Sequence, residues 1–162
     1  MSVKPIPEGY HSITPHMIVR DAKRAIEFYK QAFGAEQKGG VMSDPDGNVM
    51  HAELVIGDSI IMLADEFPQA GAVSPQAIGG SATGLHIYVA DVDSAFDRAV
   101  KAGAEVEMPV MDMFWGDRYG KLKDPFGHKW SIATHTADLS MEEMKTGMDE
   151  AMAQMKDMKK SA

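Results

Sequence analysis

The sequence predicts an α+β fold built from two βαβββ modules and closed by a separate C-terminal helix. Three observations carry this. The apolar pattern alternates between strand and helix periods in the order β-α-β-β-β, twice over. Thr14-Pro15-His16-Met17-Ile18-Val19-Arg20-Asp21 lies over Gly84-Leu85-His86-Ile87-Tyr88-Val89-Ala90-Asp91 at a constant offset of 70 residues, the mark of an internal repeat. A methionine-rich tail then follows Ser140-x-x-Glu143, a capping box that opens a last helix.

Each element follows from local chemistry. Residues 13–19 form the first strand, and Asp21 opens a helix. Its buried stripe is Ala22, Ala25, Ile26, Tyr29, Ala32 and Phe33, and Gly34 stops it. An extended piece closes over 41–43 and meets the turn Asp44-Pro45-Asp46-Gly47. Segments 49–56 and 60–64 make a hairpin around Gly57-Asp58. Residues 67–81, rich in Gly, Pro, Ala and Ser, have no period and link the modules or lie as a flap over a site.

The second module repeats the plan with a strand over 85–90 and a helix over 92–102. Val92, Ala95, Phe96, Ala99 and Val100 face inward on that helix, and Gly103 ends it. Strands over 106–110, 118–122 and 129–134 complete the module, the last two separated by Asp124-Pro125-Phe126-Gly127. One domain thus covers 1–136, with modules at about 12–66 and 82–135, and 137–162 is the helical tail. There Met141, Met144, Met148, Met152, Met155 and Met158 recur every three or four residues. Such a thioether face suits packing on its own domain, on a dimer partner or over a ligand.

Composition narrows the function. The 162 residues are 44% hydrophobic and 25% charged, which is globular, and the net charge is −8. An acidic chain opposes nucleic-acid and anionic-membrane surfaces, since phosphates need a basic field. Without cysteine there is no disulfide, thiolate zinc site or thiol nucleophile. No apolar run approaches the roughly 18 residues of a membrane span, and the first 15 residues lack a signal-peptide core, so a cytoplasmic location is expected. The glycine pairs at 39–40 and 79–80 lack the lysine and helix of a phosphate loop, and no Ser-His-acid set is legible.

The repeated βαβββ order, Thr14-Pro15, Ala25-Ile26-Glu27-Phe28-Tyr29 with Phe33-Gly34-Ala35, and Asp124-Pro125-Phe126-Gly127 together resemble the vicinal oxygen chelate superfamily. That superfamily holds glyoxalase I, fosfomycin and bleomycin resistance proteins, and extradiol dioxygenases. Within it, His51-Ala52-Glu53-Leu54, Ile60-Ile61-Met62-Leu63 and Phe114-Trp115 before Tyr119-Gly120-Lys121 resemble the PhnB-like branch. The resemblance implies curved sheets forming a cup around a small organic ligand, and assembly as a homodimer. It also implies a divalent metal on the first and last strands of each module.

Carried over residue by residue, those metal positions are Thr14, Met62, Gly84 and Ser131, none of them a usual ligand for zinc, nickel, manganese or iron. His16 and His86 stand two residues beyond Thr14 and Gly84, and alternate strand residues share a face. Three readings of the pair stay open: a displaced metal site with Glu53, a metal-free pocket in which they bind ligand or move protons, and plain structure. His51 and Glu53 share a strand face, inward if Ala52 and Leu54 pack on the helix. Trp115 offers a stacking wall or packs as core, and Arg118 and Lys121 offer cations for an anionic group or lie on a solvated strand face. His11, His128 and His135 are expected at surfaces or edges. The expected function is binding of a small molecule in the cup, with lyase, isomerase or dioxygenase activity if the protein is an enzyme. The alternatives are sequestration without turnover and a scaffold with a vestigial cup.

Overall fold

In the computed structural model, which describes the backbone of residues 3–160 and side chains through 156, each helix sits where its apolar stripe dictates. Helix α1 (Ala22–Phe33) buries the whole expected stripe together with Phe28. The Asp21 side chain caps the Arg24 amide, and Gly34 ends the helix at φ 67°, a conformation glycine enters without a Cβ clash. Strand β1 (His16–Val19) precedes it; β2 (Glu36–Ser43), β3 (Val49–Ile56) and β4 (Ser59–Asp65) follow. They form a sheet in the order β1-β4-β3-β2, with β1 parallel to β4.

The second module is β5 (Gly84–Tyr88), α3 (Val92–Ala102), β6 (Glu105–Asp112), β7 (Asp117–Lys123) and β8 (Lys129–His135), in the matching sheet order β5-β8-β7-β6. Val92, Ala95, Phe96 and Ala99 are buried, whereas Val100 is 37% exposed because it falls on the rim of the stripe in the last turn. Phe96 lies so close to β7 that a Cβ on Gly120 would come within 2.6 Å of its ring. The two Asp-Pro-x-Gly turns occupy different places in the modules, the first between β2 and β3 and the second between β7 and β8.

One core joins the modules. Phe33 of α1 packs on Trp130 of β8 at 4.5 Å between ring centroids, and Arg98 Nε of α3 donates to the Ala32 carbonyl at 3.0 Å. At its centre is Asp124, 3% exposed. Its Oδ2 accepts from the Tyr29 hydroxyl at 2.7 Å and from Trp130 Nε1 at 2.8 Å. Its Oδ1 accepts from the backbone N–H groups of Phe126 and His128, each at 2.9 Å. Burial, and then the Asp124 charge, push the Tyr29 phenol well above its ordinary range, so it remains a donor.

The stretch 67–81 is built rather than featureless. It holds a 3-10 turn at Pro68–Ala70 and a one-turn helix α2 at Pro75–Ile78. Glu66 anchors it: Oε1 accepts from the Ser74 amide at 2.9 Å and hydroxyl at 2.6 Å, while Oε2 accepts from Arg20 Nε at 2.8 Å. Helix α4 (Met141–Lys160) starts at the capping box, where Ser140 Oγ donates to Glu143 at 2.6 Å. Its methionine face is only partly covered. Met144 and Met148 are half-buried beside Gly147, whose backbone lies against Phe114, while Met141, Met152 and Met155 are exposed. The Met158 side chain lies outside the described residues. Among the described residues, no helix is long and apolar enough to cross a membrane.

Two outcomes are expected. Tyr29→Phe removes one hydrogen bond to a buried charge and lowers unfolding stability by about 1.5–3 kcal/mol in urea titrations, with an unchanged denaturant slope. The Ser74 contacts, then Arg20, hold the Glu66 carboxyl down at about 2, so its contribution is full above pH 4.5 and is lost as the pH falls toward 2. Glu66→Gln therefore exposes residues 67–81 to proteolysis near neutral pH and flattens that acid limb.

Candidate functional site

Each sheet turns one face to the helices and leaves the other open, and strand alternation decides which residues go where. In module one Met17, Val19, Ala52, Leu54 and Leu63 are buried under α1. His51 and Glu53 therefore take the open face. Register sets His16 opposite Met62, and Met62 opposite Glu53. His51 Nε2 and Glu53 Oε1 are 3.0 Å apart. The Tyr10 phenol, and then His51, hold the Glu53 carboxyl below the usual range, so it stays ionised. Lys38 Nζ sits 4.1 Å from the Tyr10 ring centre.

The open face of module two is aromatic. His86 lies opposite Ser131, and His86 Nδ1 and Ser131 Oγ share a hydrogen bond of 2.8 Å. Burial pushes the His86 pKa down, so the ring is neutral near pH 7. It stacks on Tyr119 at 5.8 Å and meets the edge of Tyr88 at 4.6 Å. Trp115, in the β6–β7 connection, adds its edge to Tyr119 at 5.5 Å. Gly84 and Ser131 flank His86, and Lys121 shares the row through Ser131.

A buried carboxylate that no sequence motif marks out holds this wall. Asp117, 4% exposed, accepts from Trp115 Nε1 at 3.0 Å and from the Tyr88 hydroxyl at 3.1 Å on Oδ2. His135 Nδ1 meets Oδ1 at 2.8 Å, and His135 Nε2 meets Asp138 at 3.1 Å. Burial pushes Asp117 up, but these donors outweigh it and hold the carboxyl below its ordinary range. Arg118, one residue on, belongs to the opposite face. Its guanidinium is clamped by both oxygens of Asp93 at 2.7 Å and by Asp112 at 3.2 Å, so it is a helix-side ion pair rather than a cation for a ligand in the cup. His128 is half-buried and its Nε2 donates to the Ile18 carbonyl at 3.0 Å, joining the modules instead of lying on a plain edge.

Between the modules is a cleft of about 800 Å³. One wall is β5 with its continuation to Ala90; the other is residues 13–15 with the β3–β4 turn, and Phe33, Ala95 and Trp130 close the floor. Of the expected site residues, Thr14 and His86 both line it. His16, His51, Glu53, Met62, Trp115 and Ser131 are not in its lining.

The family-type metal does not fit these residues. Thr14, Met62, Gly84 and Ser131 supply two hydroxyls, a thioether and no fourth side chain, a poor donor set for a hard or borderline cation. Nor, among the described residues of one chain, do any three His, Asp or Glu side chains converge to hold an ion, and His16, His86 and Glu53 form no such set.

Comparison with known proteins bears on the fold and its family. Residues 10–132 match the family model described as Glyoxalase/Bleomycin resistance protein/Dioxygenase superfamily. The uncharacterized protein Rv0887c of Mycobacterium tuberculosis is 41% identical over 140 residues, covering 85% of this chain and 82% of that protein. The crystal structure of TioX from Micromonospora superposes with a TM-score of 0.59 at 25% identity, over 80% of this chain and all (100%) of that one. A PhnB protein from Bacillus cereus shares the fold at TM-score 0.60 and 19% identity, over 76% and 99% of the two chains.

The Asp117 network predicts a pH-dependent signal. Asp117, then Asp138, raise the His135 pKa above 6.5, so the imidazolium pairing is present below that pH and is lost as the pH rises through the raised value. Because the Trp115 indole shares the Asp117 carboxylate, tryptophan emission should show a transition above pH 6.5 that His135→Ala abolishes.

Proposed function

The chain belongs to the Glyoxalase/Bleomycin resistance protein/Dioxygenase superfamily, and from that premise we propose that it binds a small organic molecule in the cleft between its modules without a metal ion. The cleft itself carries this reading. Its volume of about 800 Å³ falls within the range of small-molecule pockets, roughly 300–1,000 Å³, and it combines an apolar lining with a few polar groups. Ile13, Ile60, Leu85 and Ile87 supply apolar surface; Thr14 and His86 supply hydrogen bonds.

His86 is suited to orient a ligand. Ser131 fixes one ring nitrogen, and among the described residues Nε2 has no protein partner. With its proton on Nε2, the neutral ring donates to a ligand carbonyl while the Ser131 hydroxyl donates to Nδ1. A second reading, acid–base turnover of the bound molecule, draws on the same neutral imidazole, which can take a proton near pH 7. A homodimer is part of the proposal: exposed Met141, Met152 and Met155 give α4 an adaptable apolar face for a second copy.

The probe 8-anilinonaphthalene-1-sulfonate brightens in dry apolar clefts. Its emission should rise with the wild-type protein, and Ser59→Trp, which fills the cleft from an exposed position, should weaken binding at least about fivefold. Equal binding by the variant, with an unchanged thermal melt, would contradict the assignment.

A further inference from the structure

The two modules repeat, yet they treat their edge strands differently. β1 and β5 occupy equivalent ends of the two sheets. In module one the Met62 amide donates to the Pro15 carbonyl; in module two the Val89 amide donates to the Ala133 carbonyl. Odd-numbered residues of both edge strands thus bond inward. The even ones, His16 and Ile18 in one strand and His86 and Tyr88 in the other, turn their backbone N–H and C=O outward.

Module one caps one of these outward groups. The Ile18 carbonyl receives His128 Nε2 at 3.0 Å. Its counterpart across the 70-residue repeat is the Tyr88 carbonyl. His128 immediately precedes β8, and the residue in the same place before β4 is Asp58. An ionised carboxylate has no proton to give a carbonyl, and Asp58 Oδ1 instead accepts from the Ser59 hydroxyl at 2.9 Å.

The cleft lies where the matching contact would be. Asp58 and Ser59 line one side and residues 85–90 the other. Leu85 and Ile87 from one face of β5, and His86 and Tyr88 from the other, all reach it, so the cavity is bounded by the edge of the strand rather than by a face. The opposing wall is this same chain, so a strand added at this edge would lie between two segments of one molecule.

We propose that the cleft takes a short, uncharged peptide in extended form, which adds to β5 by pairing with the outward N–H and C=O groups of His86 and Tyr88. Main-chain hydrogen bonds give such a ligand its hold, and alternate side chains lie against Ile13, Ile60 and Ile87. This inference rests on the small-molecule reading of the cleft and names its ligand class.

The test uses acetyl-Val-Thr-Val-amide and the same peptide N-methylated at the central amide, titrated into the full chain and followed by backbone amide shifts in NMR. The plain peptide should saturate shifts at His86 and Tyr88, and N-methylation should weaken binding at least tenfold. Tyr88→Pro removes an outward N–H, which an edge strand tolerates, and should weaken binding at least tenfold, whereas Tyr88→Ala, which loses the same ring and hydroxyl but keeps the N–H, should weaken it less than about threefold. Equal binding of the two peptides overturns the proposal, as does saturation without shifts at His86 and Tyr88. If the fluorescent probe is displaced from wild type by other small organics but not by the peptide, only the peptide class fails. If neither the probe nor the peptide binds, the small-molecule reading falls with it.

Discussion

Asp124 is the constraint on which the arrangement depends. A carboxylate that is 3% exposed persists as a charge only if donors replace its water, and here four do so. Two of them close its own turn. Tyr29 arrives from the first module's helix and Trp130 from the second module's last strand, so the ion couples the halves of the repeat. The same turn carries His128, whose amide bonds Asp124 and whose ring reaches Ile18. The carboxylate therefore ties α1 of the first module to β8 of the second, and Phe33 and Trp130 beside it line the cleft.

The two modules share one sheet plan and differ in their open faces and edge strands. The first open face gathers Glu53, His51, Tyr10 and Lys38, which are polar and charged. The second stacks His86, Tyr119 and Trp115 around a buried Asp117. One edge strand is capped by histidine, and the other looks onto the cleft because an aspartate stands where that histidine would be. With hydroxyls, a thioether and a glycine at the family's metal positions, the recognition proposed for the cleft rests on hydrogen bonds and apolar contact.

Much of the fold was legible because it is periodic. The α1 stripe, the 70-residue offset and the capping box all follow from spacing, and each stands where it was expected. The family resemblance rested on the repeated order together with the motifs at 14–15, 25–35 and 124–127. What was not legible depends on contacts between distant segments. Asp124 is written as a turn residue, and nothing local says that its second oxygen will meet Tyr29. Asp117 gives no signal beyond its place after Trp115, and Arg118 shows its true face only once β7 is paired. The hold of Glu66 on Ser74 is likewise invisible in a stretch rich in glycine and proline. The methionine tail has the right period, but among the described residues Met144 and Met148 are half-buried beside Gly147, which lies against Phe114, and Met141, Met152 and Met155 stay exposed.

One strand edge is capped and the other is not, and amide hydrogen exchange in the ligand-free protein reads the uncapped one directly. Exchange at His86 and Tyr88 should be at least tenfold faster than at Ile87 and Val89, and should not depend on protein concentration. Slow exchange at all four positions would mean that the β5 edge is already paired, and would contradict the account.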